Sequence, residues 1–117
     1  PVACAAGLAA LDILEQEKLP QRVAEMAPYF EAALHELHGS PHVADIRNFG
    51  FAGALQLSPY PGEPVRRPWE VAMRMWEKGF YVRYGGDTIQ LGLPFVIEKA
   101  QIDSLITALG ESLVELA

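Results

Sequence analysis

The apolar residues at the start of the chain have no polar face to answer them. Val2-Ala3-Cys4-Ala5-Ala6-Gly7-Leu8-Ala9-Ala10-Leu11 runs unbroken to the first charge at Asp12, with Ile13 and Leu14 close behind. The pattern predicts a helix from about Val2 to Lys18. Leu19-Pro20 ends it, because a residue before proline avoids the helical region. Pro20 then suits the first turn of a second helix. That helix carries Val23, Met26, Ala27, Phe30, Leu34 and Leu37 as one amphipathic stripe. Pro28, inside the stripe, predicts a kink or a late start, and Gly39 a left-handed cap.

From Val43 to Ser58 the pattern turns extended, with Ala44, Ile46, Phe49, Phe51, Ala54, Leu55 and Leu57 apolar. Gly50 and Gly53 interrupt it, which fits two strands or one bent strand. Ser58 to Pro68, rich in proline, reads as a loop. Trp69 to Lys78 reads as a short helix with Trp69, Ala72, Met73 and Trp76 on one face, stopped by Gly79. Phe80 to Tyr84 and Thr88 to Leu93 then flank Gly85-Gly86-Asp87, a hairpin pattern. A last helix, Glu98 to about Leu116, places Ile102, Leu105, Ile106, Leu109 and Leu113 on one stripe. Glu98 near its start complements the helix dipole.

This order predicts an α+β fold: an antiparallel sheet of three to four strands with helices on one face, preceded by a long apolar helix. The first helix changes that picture. A helix apolar all round has to be buried all round, and the residues after it are too few to enclose it. With no Met before Pro1, the expectation is a partner surface outside these residues: upstream chain, another subunit, or both.

Composition narrows the function classes. Half of the 117 residues are hydrophobic and the net charge is -6, which suits a globular domain and disfavours a phosphate backbone as partner. Cys4 is the single cysteine, so an internal disulfide is excluded and a reducing, cytoplasmic compartment is expected. In its Ala-rich run Cys4 is expected to be a buried, inert thiol. No run reaches the roughly 18 apolar residues of a membrane span.

Candidate chemistry is sparse. His35, His38 and His42 with Asp45 sketch a zinc site, but solvated imidazoles beside a helix C-terminus explain them as well, and no metal is expected. Asp45 and Arg47 should share a strand face as an exposed ion pair. Arg83 stands out between aromatic residues near the hairpin tip. Its planar, permanently charged fork suits two-point binding of a carboxylate; an ordinary solvent-facing strand arginine is the alternative.

Three stretches carry a family resemblance. The run from Pro1 to Leu11 resembles the start of the interdomain helix of class III aminotransferases. Asp45-Ile46-Arg47-Asn48-Phe49-Gly50 resembles the DxRxxG strand-turn of their small domain. Lys78 to Ile89, with Val82-Arg83-Tyr84-Gly85-Gly86-Asp87-Thr88-Ile89 at its heart, followed by Val96 to Asp103, is similar to the ω-amino acid–pyruvate type, which includes the β-alanine–pyruvate enzymes.

The resemblance implies fold type I, pyridoxal phosphate as cofactor, and a homodimer acting on small amino and keto acids. It implies that residues 1–19 are the interdomain helix, packed on an N-terminal large domain, and that residues 20–117 are the C-terminal small domain. It carries Arg83 over as the receptor of the substrate carboxylate. No catalytic or cofactor-binding residue is carried over, since the Schiff-base lysine belongs upstream and Lys18, Lys78 and Lys99 match no such motif. Such a piece is expected to be inert alone and to bind no cofactor. Gly92-Leu93-Pro94-Phe95 replaces the usual Ser-Pro-Pro-Leu and leaves substrate preference open. Two readings compete: a free-standing regulatory domain binding a small ligand, and an assembly domain exposing the face from Val2 to Leu14.

Overall fold

The computed structural model describes residues 1–116. Four helices and four strands follow in the order α1 (Val2–Gln16), α2 (Leu19–His35), β1 (Val43–Phe49), β2 (Ala52–Leu57), α3 (Arg66–Glu77), β3 (Arg83–Gly85), β4 (Thr88–Gly92) and α4 (Lys99–Val114). The strands form one antiparallel sheet in the order β1-β2-β4-β3. The α+β expectation holds, with four strands.

Strand alternation divides the sheet into two faces. Ile46, Leu55, Ile89 and Tyr84 are successive cross-strand partners and turn toward the helices. Ile46, Leu55 and Ile89 are buried there with Phe30 and Leu34 of α2, Val71 and Met75 of α3, and Ile102, Leu105 and Leu109 of α4. Gly53 lies on the same face because nothing larger fits. A Cβ added there would stand 2.9 Å from both Leu34 Cδ2 and Phe30 Cζ. In the next row, Arg47, Ala54, Gln90 and Arg83 are partners on the opposite, open face.

Local sequence explains most element ends. Lys18 adopts a left-handed φ of 50° between α1 and α2, and Pro20 occupies the first turn of α2. Gly50 and Gly86, both at positive φ, lie in the two tight turns. At the start of α4, the Gln101 side chain accepts the Glu98 backbone N–H at 2.9 Å, as in a capping box.

Four expectations need correction. Pro28 neither delays nor ends α2, which runs through it from Leu19; its ring lies on the exposed side, where the lost N–H leaves no buried carbonyl orphaned. The first hairpin strand is Arg83–Gly85 and not Phe80–Tyr84, because the chain before it leaves the sheet and Tyr81 is exposed. The buried face of α3 comprises Arg67, Pro68, Val71, Ala72 and Met75. Trp69, Met73 and Trp76 point outward, Trp76 being 65% exposed. Finally, Cys4 is exposed, like the helix that carries it: α1 has no buried residue, and Val2 and Leu8 are 84% and 65% exposed. The main contact of α1 is with α2, and it is too small to bury any residue of the helix.

Candidate functional site

The hairpin that carries Arg83 is held by its turn. Gly85 pairs with Thr88, which leaves Gly86-Asp87 as the connecting residues, and Gly86 takes a φ of 58° that a side chain would resist. The Asp87 carboxylate accepts hydrogen bonds from the Gln56 amide and the Thr88 hydroxyl, each at 2.9 Å. These bonds, Gln56 first, hold the Asp87 carboxyl below the usual carboxylate range. The turn is thus tied to β2 as well as to its own strands.

Arg83 starts β3 at the sheet edge, opposite Gln90. A recess of about 210 Å³ runs up to it, walled by Met73 and Trp76 of α3 and by Tyr81, Val82 and Tyr84. Trp76 and Tyr81 meet edge to face, with ring centroids 6.3 Å apart. The outward face of α3 therefore builds the wall of this recess and not the core.

What separates Arg83 from the other five arginines is its lack of a partner. Arg22 binds Glu98 at 3.0 Å, Arg47 binds Asp45 at 3.1 Å, Arg66 binds Glu63 at 2.8 Å, and Arg74 meets Glu115 at 3.4 Å. Arg67 donates to the Ser58 carbonyl and lies over the Tyr60 ring. Among the described residues, Arg83 has no hydrogen bond, ion pair or aromatic ring beneath it, although it is exposed. An exposed guanidinium left without a partner in this way can bind a carboxylate at two points.

The other expected residues fall elsewhere. Asp45 and Arg47 form the exposed pair that their spacing predicts. His42 Nε2 lies 3.2 Å from the Leu116 carbonyl, away from the contact between His35 and His38. No group of three or more potential metal-ligating His, Cys, Asp or Glu side chains occurs among the described residues. Sequence reasoning missed the pairing of Trp76 with Tyr81 and the placement of Gln90 beside Arg83. The second was available from the turn, since pairing Gly85 with Thr88 puts Gln90 opposite Arg83.

The model of the aminotransferase class-III family matches residues 1–113. The chain belongs to this family. It is 55% identical over 113 residues to the β-alanine–pyruvate aminotransferase of Pseudomonas aeruginosa, covering 97% of this chain and 25% of that protein. It is 54% identical over 116 residues to the ω-amino acid–pyruvate aminotransferase of Pseudomonas putida, covering 99% of this chain and 26% of that protein. A pyridoxal-phosphate-bound aminotransferase mutant from Vibrio fluvialis superposes with a TM-score of 0.91 at 28% identity, over 99% of this chain and 27% of that one. The chain thus spans about a quarter of the length of the curated relatives it matches.

Class III aminotransferases work with pyridoxal phosphate, and the lysines described here do not fit a Schiff-base role at the recess. Lys78 is held by Glu111 and Glu115 at 3.2 and 2.9 Å, which raises its pKa, first through the Glu115 bond, and keeps it protonated. Lys99 lies over the Tyr29 ring, and Lys18 is exposed at the left-handed link between helices. None of the three lines the recess beside Arg83.

Proposed function

We propose that this chain is the small-domain part of a pyridoxal-phosphate-dependent transaminase that moves an amino group from an ω-amino acid or amine to pyruvate or a similar keto acid. Residues 20–117 form the C-terminal small domain, and residues 1–19 the helix joining it to an N-terminal large domain that supplies the reactive lysine and the cofactor seat. The whole enzyme is a homodimer working in the cytoplasm. By itself this part is inert, because it contributes a substrate receptor without the group that reacts.

Arg83 is that receptor. The observation that carries the role is its free guanidinium, alone among six arginines in having no side-chain partner among the described residues. A carboxylate bound there gains a charge-assisted hydrogen bond, on the order of 1.5–3 kcal/mol. The names of the two relatives, β-alanine–pyruvate and ω-amino acid–pyruvate aminotransferase, support a substrate carrying such a group. The exposure of α1 supports the large-domain contact, since an apolar helix of this kind needs a surface to cover it.

Single-turnover donor reactions of the full-length enzyme test the assignment. Arg83→Ala should slow β-alanine by roughly 10–100-fold, following from the loss of one charge-assisted bond. A simple amine without a carboxylate should change little. Equal losses for both donors would remove the carboxylate role and leave Arg83 a structural residue.

A further inference from the structure

We propose that His35 and His38 form a two-imidazole binding site for a borderline divalent transition-metal cation, with Cu(II) preferred. The site sits where α2 ends beside β1, and β1 is the sheet edge opposite the one formed by β3.

The geometry starts from Asn48. Its side-chain oxygen lies 2.8 Å from His35 Nε2. An amide oxygen only accepts, so Nε2 carries the proton and His35 Nδ1 presents a lone pair. Proteins orient metal-binding imidazoles in this way, with the far ring nitrogen donating to an oxygen that fixes both tautomer and ring angle. The exposed lone pair faces His38, whose Nε2 is 3.1 Å away. Two nitrogens each ~2.0–2.1 Å from one cation, at angles between square and tetrahedral, lie ~2.9–3.4 Å apart. The two rings already stand at that separation, with centroids 5.1 Å apart and planes tilted by 45°. Without a cation, His38 Nε2–H donates to His35 Nδ1. With one, the His38 proton resides on Nδ1 and both lone pairs face the ion.

The surroundings favour positive charge. His35 is the last residue of α2, at the negative end of the helix dipole. The chain carries a net charge of -6. His38 is exposed, so water can complete the coordination shell. With only two protein ligands the ordering of affinities should follow the intrinsic one, Cu(II) above Ni(II) and Zn(II).

Calorimetric titration of the full chain with CuCl2, NiCl2 and ZnCl2 tests this, in a Cys4→Ser background that removes the exposed thiol. One saturable site is expected, tightest for Cu(II). Imidazole nitrogen spectra with Zn(II) should shift at His35 Nδ1 and His38 Nε2 while His35 Nε2 stays protonated. His38→Gln, on an exposed side chain, should abolish saturable binding with an unchanged far-ultraviolet spectrum. Asn48→Ala should weaken binding about 10–100-fold through loss of the orienting oxygen. Absence of saturable Cu(II) uptake, or an affinity unchanged in either variant, overturns the proposal.

Discussion

Helices α1 and α4 are nearly equal in length, at 15 and 16 residues, and both are largely apolar, yet their fates are opposite. Seven residues of α4 are buried, among them Ile102, Leu109 and Leu113, and none of α1 is. The difference lies in what surrounds them. Helix α4 packs against α2 and α3, and its stripe meets the buried face of the sheet; α1 meets chiefly α2 and contributes no residue to the core. Its helicity rests on local terms, chiefly five alanines of high helix propensity. At 15 residues it is near the lower limit for a helix without tertiary support, which is about 12–15 residues even for Ala-rich sequences. Hydrophobicity marks both helices as interfacial; only the neighbours distinguish an interface already made from one still open.

The contrast breaks most readily through the core. Phe30 is fully buried, and Phe30→Ala should cost about 3–5 kcal/mol in urea unfolding of the 117-residue chain. A loss below 1 kcal/mol would mean that the packed body is no better consolidated than α1. Next comes Gly53→Ala. Its new methyl would press on Leu34 and Phe30, so a penalty of about 1–3 kcal/mol is expected; a stabilised variant would show that the sheet and α2 have slack.

A smaller effect should follow pH. The Asp87 carboxyl is held below its ordinary value by Gln56 and then Thr88, so its contribution is present above the unfolded carboxylate pKa. That contribution fades as pH falls through the lowered folded value. The stability gap between wild type and Asp87→Asn should therefore narrow on acidification; a gap independent of pH would detach the turn from that carboxylate. The smallest effect belongs to α1. Leu11→Gln should change stability by no more than about 0.5 kcal/mol, since Leu11 is exposed. A core-sized loss there would reveal packing on α1 that the fold does not contain.

Much of this fold was legible from local patterns. The α2 and α4 stripes, the proline at the start of α2 and the hairpin all reflect neighbours close in sequence, which a reader of the chain can count. Pro28 does not delay the start of α2, because it lies on the side of the helix that faces water. The α3 face misled for a related reason: Trp69, Met73 and Trp76 are as apolar as Val71 and Met75, and helical spacing offers either set to the core. Contact with α4 decides between them.

Arg83 shows the same division. The chain alone marks it as an arginine among aromatics at a hairpin, and the family resemblance attaches a role to it. Its freedom from partners depends on where every acidic side chain comes to rest, and the wall of its recess depends on how α3 is rotated about its axis. Secondary structure and family membership therefore followed from short-range pattern and motif, whereas the choice of buried face, the unshared guanidinium and the open state of α1 came from packing. Those are outcomes of residues distant in sequence competing for one core, and linear spacing does not encode which of them wins.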